Sequence, residues 1–209
     1  MHFEKTGIYH IYNQGNNRQK IFFTKENYNY FLGKIRHHIL PFTDILAWCL
    51  MPNHFHLMVS VNEVELPKEI IKLTPVTLKL SDNNSSATST ISLNHSIGIM
   101  LASYTRAINI QKKSSGSLFR SETKAICMNE ISGITSNWYT SYGITFMKMQ
   151  IPEYQYIQTC FNYIHNNPVN ARLVSRPEDW EFSSYAELKG LCKETLANKQ
   201  KVEQLGLVI

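Results

Sequence analysis

An α+β fold with an antiparallel sheet is predicted by three observations in this 209-residue sequence. Four short segments alternate apolar and polar side chains or form compact apolar runs, as β-strands do. Three longer segments repeat apolar side chains at helical spacing. The segments follow one another as strand, helix, strand, strand, helix, strand, helix, which is the order of a ferredoxin-like split βαβ sandwich with one extra C-terminal helix.

A strand, a turn and a helix open the predicted fold. Residues 7–14 alternate with the period of two that marks a half-buried strand, and residues 15–18 (GNNR) carry a turn signal. Thr24 can cap a helix that begins at Lys25 and keeps its apolar spacing until Pro41 stops it.

A β-hairpin is predicted next. Residues 44–51 and 54–61 are apolar, strand-like runs with only Pro52-Asn53 between them. The residues that follow are less regular, and we expect a short helix around residues 68–73. Residues 81–90 are polar and low in complexity, which predicts a flexible loop.

The second half of the sandwich begins with a helix for which either Asn94 or Ser96 can act as the cap. Its apolar face includes Ile97, Met100 and Tyr104, and the helix frays into the lysines and serines of residues 112–116. Residues 118–128 suit the fourth strand, and residues 129–150 are expected to form an irregular insertion.

The last predicted helix covers residues 153–167. Pro168 should end it, because the residue before a proline is pushed out of helical geometry. Beyond it, Trp180, Phe182 and Tyr185 could fasten a C-terminal extension to the core.

The composition excludes several classes of protein. A hydrophobic content of 43% and a charged content of 18% are those of a globular chain, not a disordered one. The longest apolar run, residues 45–51, is far short of the roughly 20 residues that span a membrane. The N-terminus lacks the apolar core of a signal peptide, so we expect a cytoplasmic protein without membrane contact.

The net charge indicates the kind of binding partner, and the spacing of the cysteines indicates the state of their thiols. A net charge of +5 favours a polyanionic partner. The four cysteines lie far apart without a Cys-x-x-Cys pair, so buried free thiols are a better interpretation than a disulfide framework or a zinc ribbon.

A His-x-His pair occurs in the second strand of the predicted hairpin. Alternate side chains of a strand share one face, so His54 and His56 point the same way while Phe55 points into the opposite layer. Two imidazoles on one face can chelate a divalent cation, and a third ligand from another element would leave positions open for substrate oxygens and water.

Tyr163 and Asn167 form the second candidate constellation, because residues four apart occupy neighbouring turns of one helix face. The amide oxygen can supply the third metal ligand, and the phenol can approach a phosphate that the metal polarises. A phenol is a poor nucleophile without assistance, but as phenolate it is a good leaving group. This chemistry favours reversible strand transfer over simple hydrolysis.

Each of these residues also has an ordinary structural interpretation. Most bare His-x-His pairs are surface or packed histidines. Tyr163 could be one of eleven tyrosines that pack in the core, and Asn167 could merely finish a helix before a proline.

Three segments in order carry a resemblance to a known family. Residues 9–18 (YHIYNQGNNR), 51–59 (MPNHFHLMV) and 163–169 (YIHNNPV) resemble the IS200-like (Y1, HUH) transposases, and the closest likeness is to the REP-associated tyrosine transposases. Residues 180–185 (WEFSSY) are also similar to that branch. The likeness covers roughly residues 5–61, 94–128 and 153–188, with insertions at about 62–93 and 129–150.

The resemblance implies a single transposase domain over residues 1–188, followed by a tail over 189–209. It implies a metal-dependent single-strand DNA endonuclease and strand-transferase that acts near hairpins and leaves a 5′-phosphotyrosine. Mg²⁺ or Mn²⁺ would be the cofactor. By position, His54 and His56 are metal ligands and Tyr163 is the nucleophile, and Asn167 stands where the family places a polar ligand that is often glutamine.

Two points stay open from the sequence. Tyr104 lies on a helix near the basic segment of the family and is a rival nucleophile, although Tyr163 alone brings an amide four residues later. The chain could act as a monomer or as a homodimer in which the tyrosine helix is donated in trans.

DNA contacts are expected from basic side chains that neutralise phosphates and from aromatic rings such as Tyr12 and Phe119 that stack on unpaired bases. The candidate basic residues are Arg18, Lys20, Lys112, Lys113, Arg120, Lys124 and Arg172.

Two other functions compete with this one. A non-catalytic relative would keep the fold and bind hairpin DNA, although the intact histidines and tyrosine argue against it. A zinc-binding structural or hydrolytic protein would use His54, His56 and a cysteine such as Cys49 or Cys160.

Overall fold

The computed structural model describes residues 1–71, 90–129, 138–141, 144–147, 153–192 and 195–209. The strands described are β1 (Ile8–Gln14), β2 (Thr43–Met51), β3 (His54–Val61), β4 (Glu65–Pro67), β5 (Thr90–Ser92), β6 (Lys124–Cys127), β7 (Trp138–Ser141) and β8 (Ile144–Met147). The α-helices described are α1 (Lys25–His38), α2 (Leu93–Lys112), α3 (Glu153–Asn170), α4 (Tyr185–Leu188) and α5 (Lys199–Gln204). Among these helices, none is long and apolar enough to cross a lipid bilayer.

A four-stranded antiparallel sheet organises the fold, with the strand order β2-β3-β1-β6. β1 and β2 flank β3, and the connection between them passes through α1, which is the split βαβ arrangement. The predicted α+β class and the antiparallel sheet are therefore confirmed.

Opposite faces of the sheet carry different layers. Phe55 of β3 lies 5.2 Å from the ring of Phe31 on α1, and Tyr104 of α2 lies 4.9 Å from the same ring. Because side chains alternate along β3, His56 faces the other way, where its ring lies 5.4 Å from that of Tyr163 on α3. Helices α1 and α2 thus cover the core face, and α3 lies over the face that carries the histidines.

The start of α1 and the β2–β3 hairpin agree with the sequence prediction. Thr24 precedes the helix, and its backbone N–H donates to Asn27 Oδ1 at 3.2 Å. The two hairpin strands are separated only by Pro52 and Asn53. This short connection fixes the register that pairs Met51 with His54.

The cap predicted for α2 is wrong. Strand β5 runs directly into the helix, so Ser92 is the cap, and its Oγ accepts from the N–H of His95 at 3.2 Å. Asn94 and Ser96 lie within the first turn of the helix instead.

The fourth sheet strand is shorter than the expected 118–128. Its ladder covers only β6, and Phe119 makes an isolated bridge with Gly15. Arg120 N donates to the Gln14 carbonyl at 2.9 Å, and the Asn13 side chain donates to the Arg120 carbonyl and to Thr123 Oγ1, so backbone and side-chain bonds together hold this stretch where a continuous ladder was expected.

The two expected insertions contain more regular structure than predicted. β4 pairs with β5, and residues 68–71 of the expected short helix form a turn instead. β7 and β8 pair antiparallel inside the segment expected to be irregular. The remainder of that short helix, residues 72–73, and residues 81–89 of the expected loop lie outside the described residues.

Helix α3 does not stop before Pro168, as the sequence predicted, but continues to Asn170. Proline removes one N–H donor and crowds the carbonyl four residues earlier, and here it does so only two residues before the helix ends. Beyond Pro168 the backbone is hydrogen-bonded again. Ala171 N donates to Asn167 O at 3.0 Å, and Leu173 N donates to Pro168 O at 2.9 Å.

The C-terminal extension is attached to the core, as expected, and the contact is with the free edge of β2. Leu50 N donates to Phe182 O at 2.9 Å, and the Phe182 ring stacks on Tyr28 at 3.9 Å. Farther along, Asn198 N donates to the Ile45 carbonyl at 2.7 Å, so part of the tail beyond residue 188 also packs against β2.

Candidate active site

The pairing of β1 with β3 places side chains from the two strands next to each other in the site. Tyr12 is paired with His56, and Gln14 is paired with His54. Residues paired across an antiparallel ladder share a face, so both histidines and both β1 side chains lie on the α3 side of the sheet. The two imidazole rings are 4.9 Å apart and almost perpendicular, at 84°.

Helix α3 reaches the histidines within the same chain. The Tyr163 ring lies 5.4 Å from that of His56, and the Asn167 side chain lies beside His54. Tyr163 is 47% exposed, whereas Asn167 is buried. The spacing of four residues therefore puts a solvent-accessible phenol and a buried amide beside the two imidazoles.

A cavity of about 360 Å³ opens at this point. It is lined by both histidines and the tyrosine, by β1 side chains and by residues that precede or begin β6: Tyr12, Asn13, Gln14, His54, His56, Arg120, Glu122, Lys124 and Tyr163. Its volume admits a nucleotide-sized group, and Arg120, which forms no ion pair among the described residues, would favour an anionic one.

His56 presents a free nitrogen to this region. Burial, with smaller contributions from His10 and His54, holds its pKa well below the usual value, so the ring is neutral. Its Nδ1 lies 2.9 Å from His10 Nε2, while its own Nε2 is buried without a hydrogen-bond partner. Burying a nitrogen without a hydrogen-bond partner costs free energy, unless another group, such as a metal ion, binds it.

His54 is held in a similar way. Its Nδ1 lies 2.6 Å from Asn53 Oδ1, and because an amide oxygen only accepts, Nδ1 carries the hydrogen. The lone pair of the neutral ring is then on Nε2. Burial lowers the pKa of His54, and the hydrogen bond with Asn167 opposes that shift.

The donors present fit a divalent cation. Both imidazoles are neutral, His56 keeps a buried Nε2 without a hydrogen-bond partner, and the Asn167 side chain, whose amide oxygen could bind a cation, lies beside His54. Over the described part of the chain, no group of three or more His, Cys, Asp or Glu side chains could hold a metal. A third protein ligand would therefore have to be of another type, such as the Asn167 amide.

Tyr104, the rival nucleophile, lies on the core face of the sheet. It is completely buried, and its hydroxyl donates to the Ile21 carbonyl at 2.8 Å. Burial raises its pKa far above the usual value. The structure thus brings Tyr163, and not Tyr104, to the histidines.

The cysteines do not complete the histidine pair. Cys49 is paired with His56 across the ladder, but burial raises the pKa of its thiol strongly. Burial likewise raises the pKa of Cys160 to about 12. A thiol must lose its proton to bind zinc, and in the described residues neither cysteine joins His54 and His56 in a metal-binding group.

The predicted DNA-binding residues are spread over several surfaces. Arg120 and Lys124 line the cavity beside the histidines, and Lys124 pairs with Glu122. Lys113 and Arg120 line a second, larger groove beside α2. The other predicted residues line neither: Arg18, Lys20, Lys112 and Arg172.

Of the two rings expected to stack on bases, Tyr12 lines the cavity, whereas Phe119 is only 4% exposed. The Phe119 ring packs 6.0 Å from Tyr104 in the core, so the expectation of base stacking is wrong for this residue.

His10 was missed by the sequence reasoning. It is buried, and burial lowers its pKa to about 4. The signal was present, because the alternation of β1 puts His10, Tyr12 and Gln14 on one face. Only the pairing of β1 with β3 shows that this face meets His56.

No protein-family model matches the sequence, and the comparison with curated proteins returned no match. Among solved structures, the chain is similar to a REP-associated tyrosine transposase bound to a REP hairpin. The two share 15% sequence identity with a TM-score of 0.49, over 95% of this chain and 94% of that chain. A likeness of this degree is not by itself an argument for a shared activity.

Proposed function

We propose that the protein is a metal-dependent single-strand DNA endonuclease and strand-transferase of the IS200-like, one-tyrosine type, closest to the REP-associated tyrosine transposases. The observation that carries the proposal is the meeting of Tyr163 with His54 and His56 in one cavity. The rival nucleophile Tyr104 and the candidate zinc ligand Cys49 are both buried away from solvent. The substrate would be DNA with a hairpin and single-stranded flanks.

Tyr163 would act as the nucleophile. Its phenolic oxygen forms a bond to the scissile phosphorus, and the 3′-oxygen of the preceding nucleotide leaves and takes up a proton. The chain is then joined to the DNA through a 5′-phosphotyrosine. Because the phenolate is a good leaving group, a 3′-hydroxyl can later attack the same phosphorus and release the tyrosine, so strand joining needs no further energy source.

His54, His56 and Asn167 would hold Mg²⁺ or Mn²⁺. When bound, such a cation polarises a phosphate oxygen and stabilises the extra negative charge of phosphoryl transfer. His10 and Asn53 would keep the two imidazoles in the orientation and tautomer that leave Nε2 free.

Side chains around the cavity would position the strand. Arg120 and Lys124 can neutralise phosphates next to the reacting one, and Tyr12 can stack on an unpaired base. These contacts are expected to depend on the shape and charge of the DNA more than on its sequence.

The test is covalent capture on a labelled hairpin oligonucleotide with single-stranded flanks. With Mg²⁺ or Mn²⁺, the wild-type chain should form an adduct that survives denaturing electrophoresis, and Tyr163→Phe should form none. Tyr156→Phe is the matched control, since this residue lies two turns earlier on α3 and does not line the cavity.

Other outcomes point to the competing functions. Hairpin binding without any adduct would identify a non-catalytic DNA-binding relative. An adduct that persists in Tyr163→Phe and disappears in Tyr104→Phe would identify Tyr104 as the nucleophile. Tightly bound zinc with a thiolate ligand would favour the zinc protein.

A further inference from the structure

We propose that the groove between α2 and residues 114–123 is a second nucleic-acid subsite, which holds the backbone of the single strand that leads into the catalytic cavity. This inference rests on the proposed function, because the strand it holds is the one that Tyr163 would cut. The proposal concerns the single strand alone and includes no contact between this groove and the DNA hairpin. The groove has a volume of about 800 Å³.

One wall of the groove is a face of α2. The wall begins at Gly98 and ends at Lys113, which directly follows the last helical residue, and its members recur at helical spacing, for example Ala102, Arg106 and Ile110. At the rise of an α-helix, this wall is about 22 Å long. Such a length accommodates several phosphates of an extended strand.

The charged side chains that line the groove are all positive among the described residues. Arg106, Lys113 and Arg120 line it, and no Asp or Glu is found among its described lining residues. In the described part of the chain, none of the three cations takes part in an ion pair. Cations on one surface that the protein does not neutralise attract a polyanion.

The remaining polar lining consists mainly of hydroxyls and amides: Asn13, Thr105, Asn109, Ser114, Ser115, Ser117, Ser121 and Thr123. Side chains of these types, with arginine and lysine, make most protein contacts to phosphate and sugar. The aromatic ring on the described lining, Phe119, is buried, so the groove lacks a stacking platform there. Recognition should therefore be through the backbone and indifferent to base sequence.

The second wall is held in place before any ligand binds. Asn109 Nδ2 donates to the Gly116 carbonyl at 2.9 Å, and Gln19 Nε2 donates to the Leu118 carbonyl at 3.1 Å. Gly116 has a φ of 96°, a conformation that side-chain-bearing residues rarely adopt. A wall fixed in this way costs little further ordering on binding.

Continuity with the catalytic cavity identifies the occupant. Asn13 and Arg120 line both spaces, so a strand that follows α2 passes directly to Tyr12, the histidines and Tyr163. A separate partner, such as an acidic peptide, would have no reason to end at the nucleophile. Single-stranded DNA continuous with the scissile phosphate satisfies both the charge and the connection.

The experiment is a salt titration of binding to a labelled oligodeoxythymidylate, in the full-length Tyr163→Phe chain so that no cleavage occurs. Removal of one phosphate-binding cation should reduce the slope of log K against log salt by about 0.7 for single strands. Arg106→Ala with Lys113→Ala should therefore lower the slope by about 1.4, which corresponds to roughly fifteen-fold weaker affinity near physiological salt.

Two matched variants complete the test. Lys34→Ala with Lys199→Ala removes the same charge outside the groove and should keep the slope. Arg106→Lys with Lys113→Arg keeps the charge of the groove and should therefore also keep the salt slope of the wild type. The proposal is overturned if the groove variant has the slope of the outside variant, or if blunt duplex or polyglutamate competes as well as the single strand.

Failure of this proposal and failure of the proposed function are separable. The slope is measured without cleavage, so a wild-type chain that forms no covalent adduct rejects the nuclease and leaves the binding result intact. Conversely, an adduct that forms normally while the groove variant keeps its slope rejects the groove alone.

Discussion

His10 and His56 lie on neighbouring strands, and the 2.9 Å contact from Nε2 of the first to Nδ1 of the second leaves Nε2 of His56 without a partner. One of the two contacting nitrogens must carry the hydrogen. If it is His56 Nδ1, the Nε2 lone pair is available to a metal ion, so His10 is a positioning residue for the proposed ligand.

His10→Ala should weaken Mn²⁺ binding by about 10- to 100-fold, as is usual when a group that orients a metal ligand is removed. His10→Gln, whose amide oxygen can accept the same hydrogen bond, should recover much of the affinity. Calorimetric titration with Mn²⁺ measures both, and thermal unfolding checks that each variant is folded. Equal affinities for wild type and His10→Ala would exclude the positioning role.

Asn167→Ala should reduce Mn²⁺ affinity and adduct formation by about ten-fold or more, because it removes an oxygen donor beside His54. Asn167→Gln should stay closer to wild type, since it keeps an amide oxygen on the same helix face. Asn166→Ala is the control, because this neighbour is exposed and its side chain donates to the Asn162 carbonyl of the same helix. If Asn167→Ala and Asn166→Ala bind Mn²⁺ alike, Asn167 is not a ligand.

Stability should fall on acidification because of buried histidines away from the site. Burial lowers the pKa of His38 and of His165 to about 4, from an ordinary 6.5. Between these values the unfolded chain binds more protons, so the stability they contribute is complete above pH 6.5 and is lost as pH falls toward 4. Each histidine should contribute at most about 1.4 kcal/mol per pH unit.

Urea denaturation at several pH values measures this dependence. His38→Asn should have a shallower pH slope than wild type, by up to one proton, whereas His2→Gln, at the exposed N-terminus, should leave it unchanged. A wild-type unfolding free energy that stays flat from pH 6.5 to 4.5 would contradict the stated pKa values.

Glu187 should anchor the tail. Its buried carboxylate accepts from Trp48 Nε1 at 3.2 Å and from the backbone N–H groups of Leu196 and Ala197 at 3.0 and 2.9 Å. Glu187→Ala leaves these donors unsatisfied and should cost about 1–3 kcal/mol or more. Limited proteolysis should then remove residues 195–209 faster than in wild type, while Glu203→Ala, on the exposed side of α5, should resist as wild type does.

Much of the fold could be predicted because its signals are local. The period of two in β1 and β3, the spacing of α1 and the two-residue hairpin connection each depend on a short stretch of chain. The facing of His54 and His56 and the pairing of Tyr163 with Asn167 follow from strand and helix geometry alone. Their convergence depends on how α3 packs on the sheet, and only the resemblance to a known family suggested it.

What could not be predicted depends on contacts between distant segments. His10 becomes part of the site through the β1–β3 register, and Phe119 is buried because it packs against Tyr104. Asn13 bonds through its side chain to Arg120 and Thr123, in the stretch before β6 where a continuous strand was expected. Ser92 caps α2 because β5 ends there, which no local preference for Asn94 or Ser96 reveals.

Peptide mass spectrometry of the covalent DNA adduct identifies the attacking tyrosine. After reaction with hairpin DNA and Mn²⁺ and digestion of both polymers, we expect a nucleotide on the peptide that contains Tyr163, and no such adduct when the metal is chelated. A nucleotide on Tyr104 or Tyr12, or an adduct that forms equally well without metal, would contradict it.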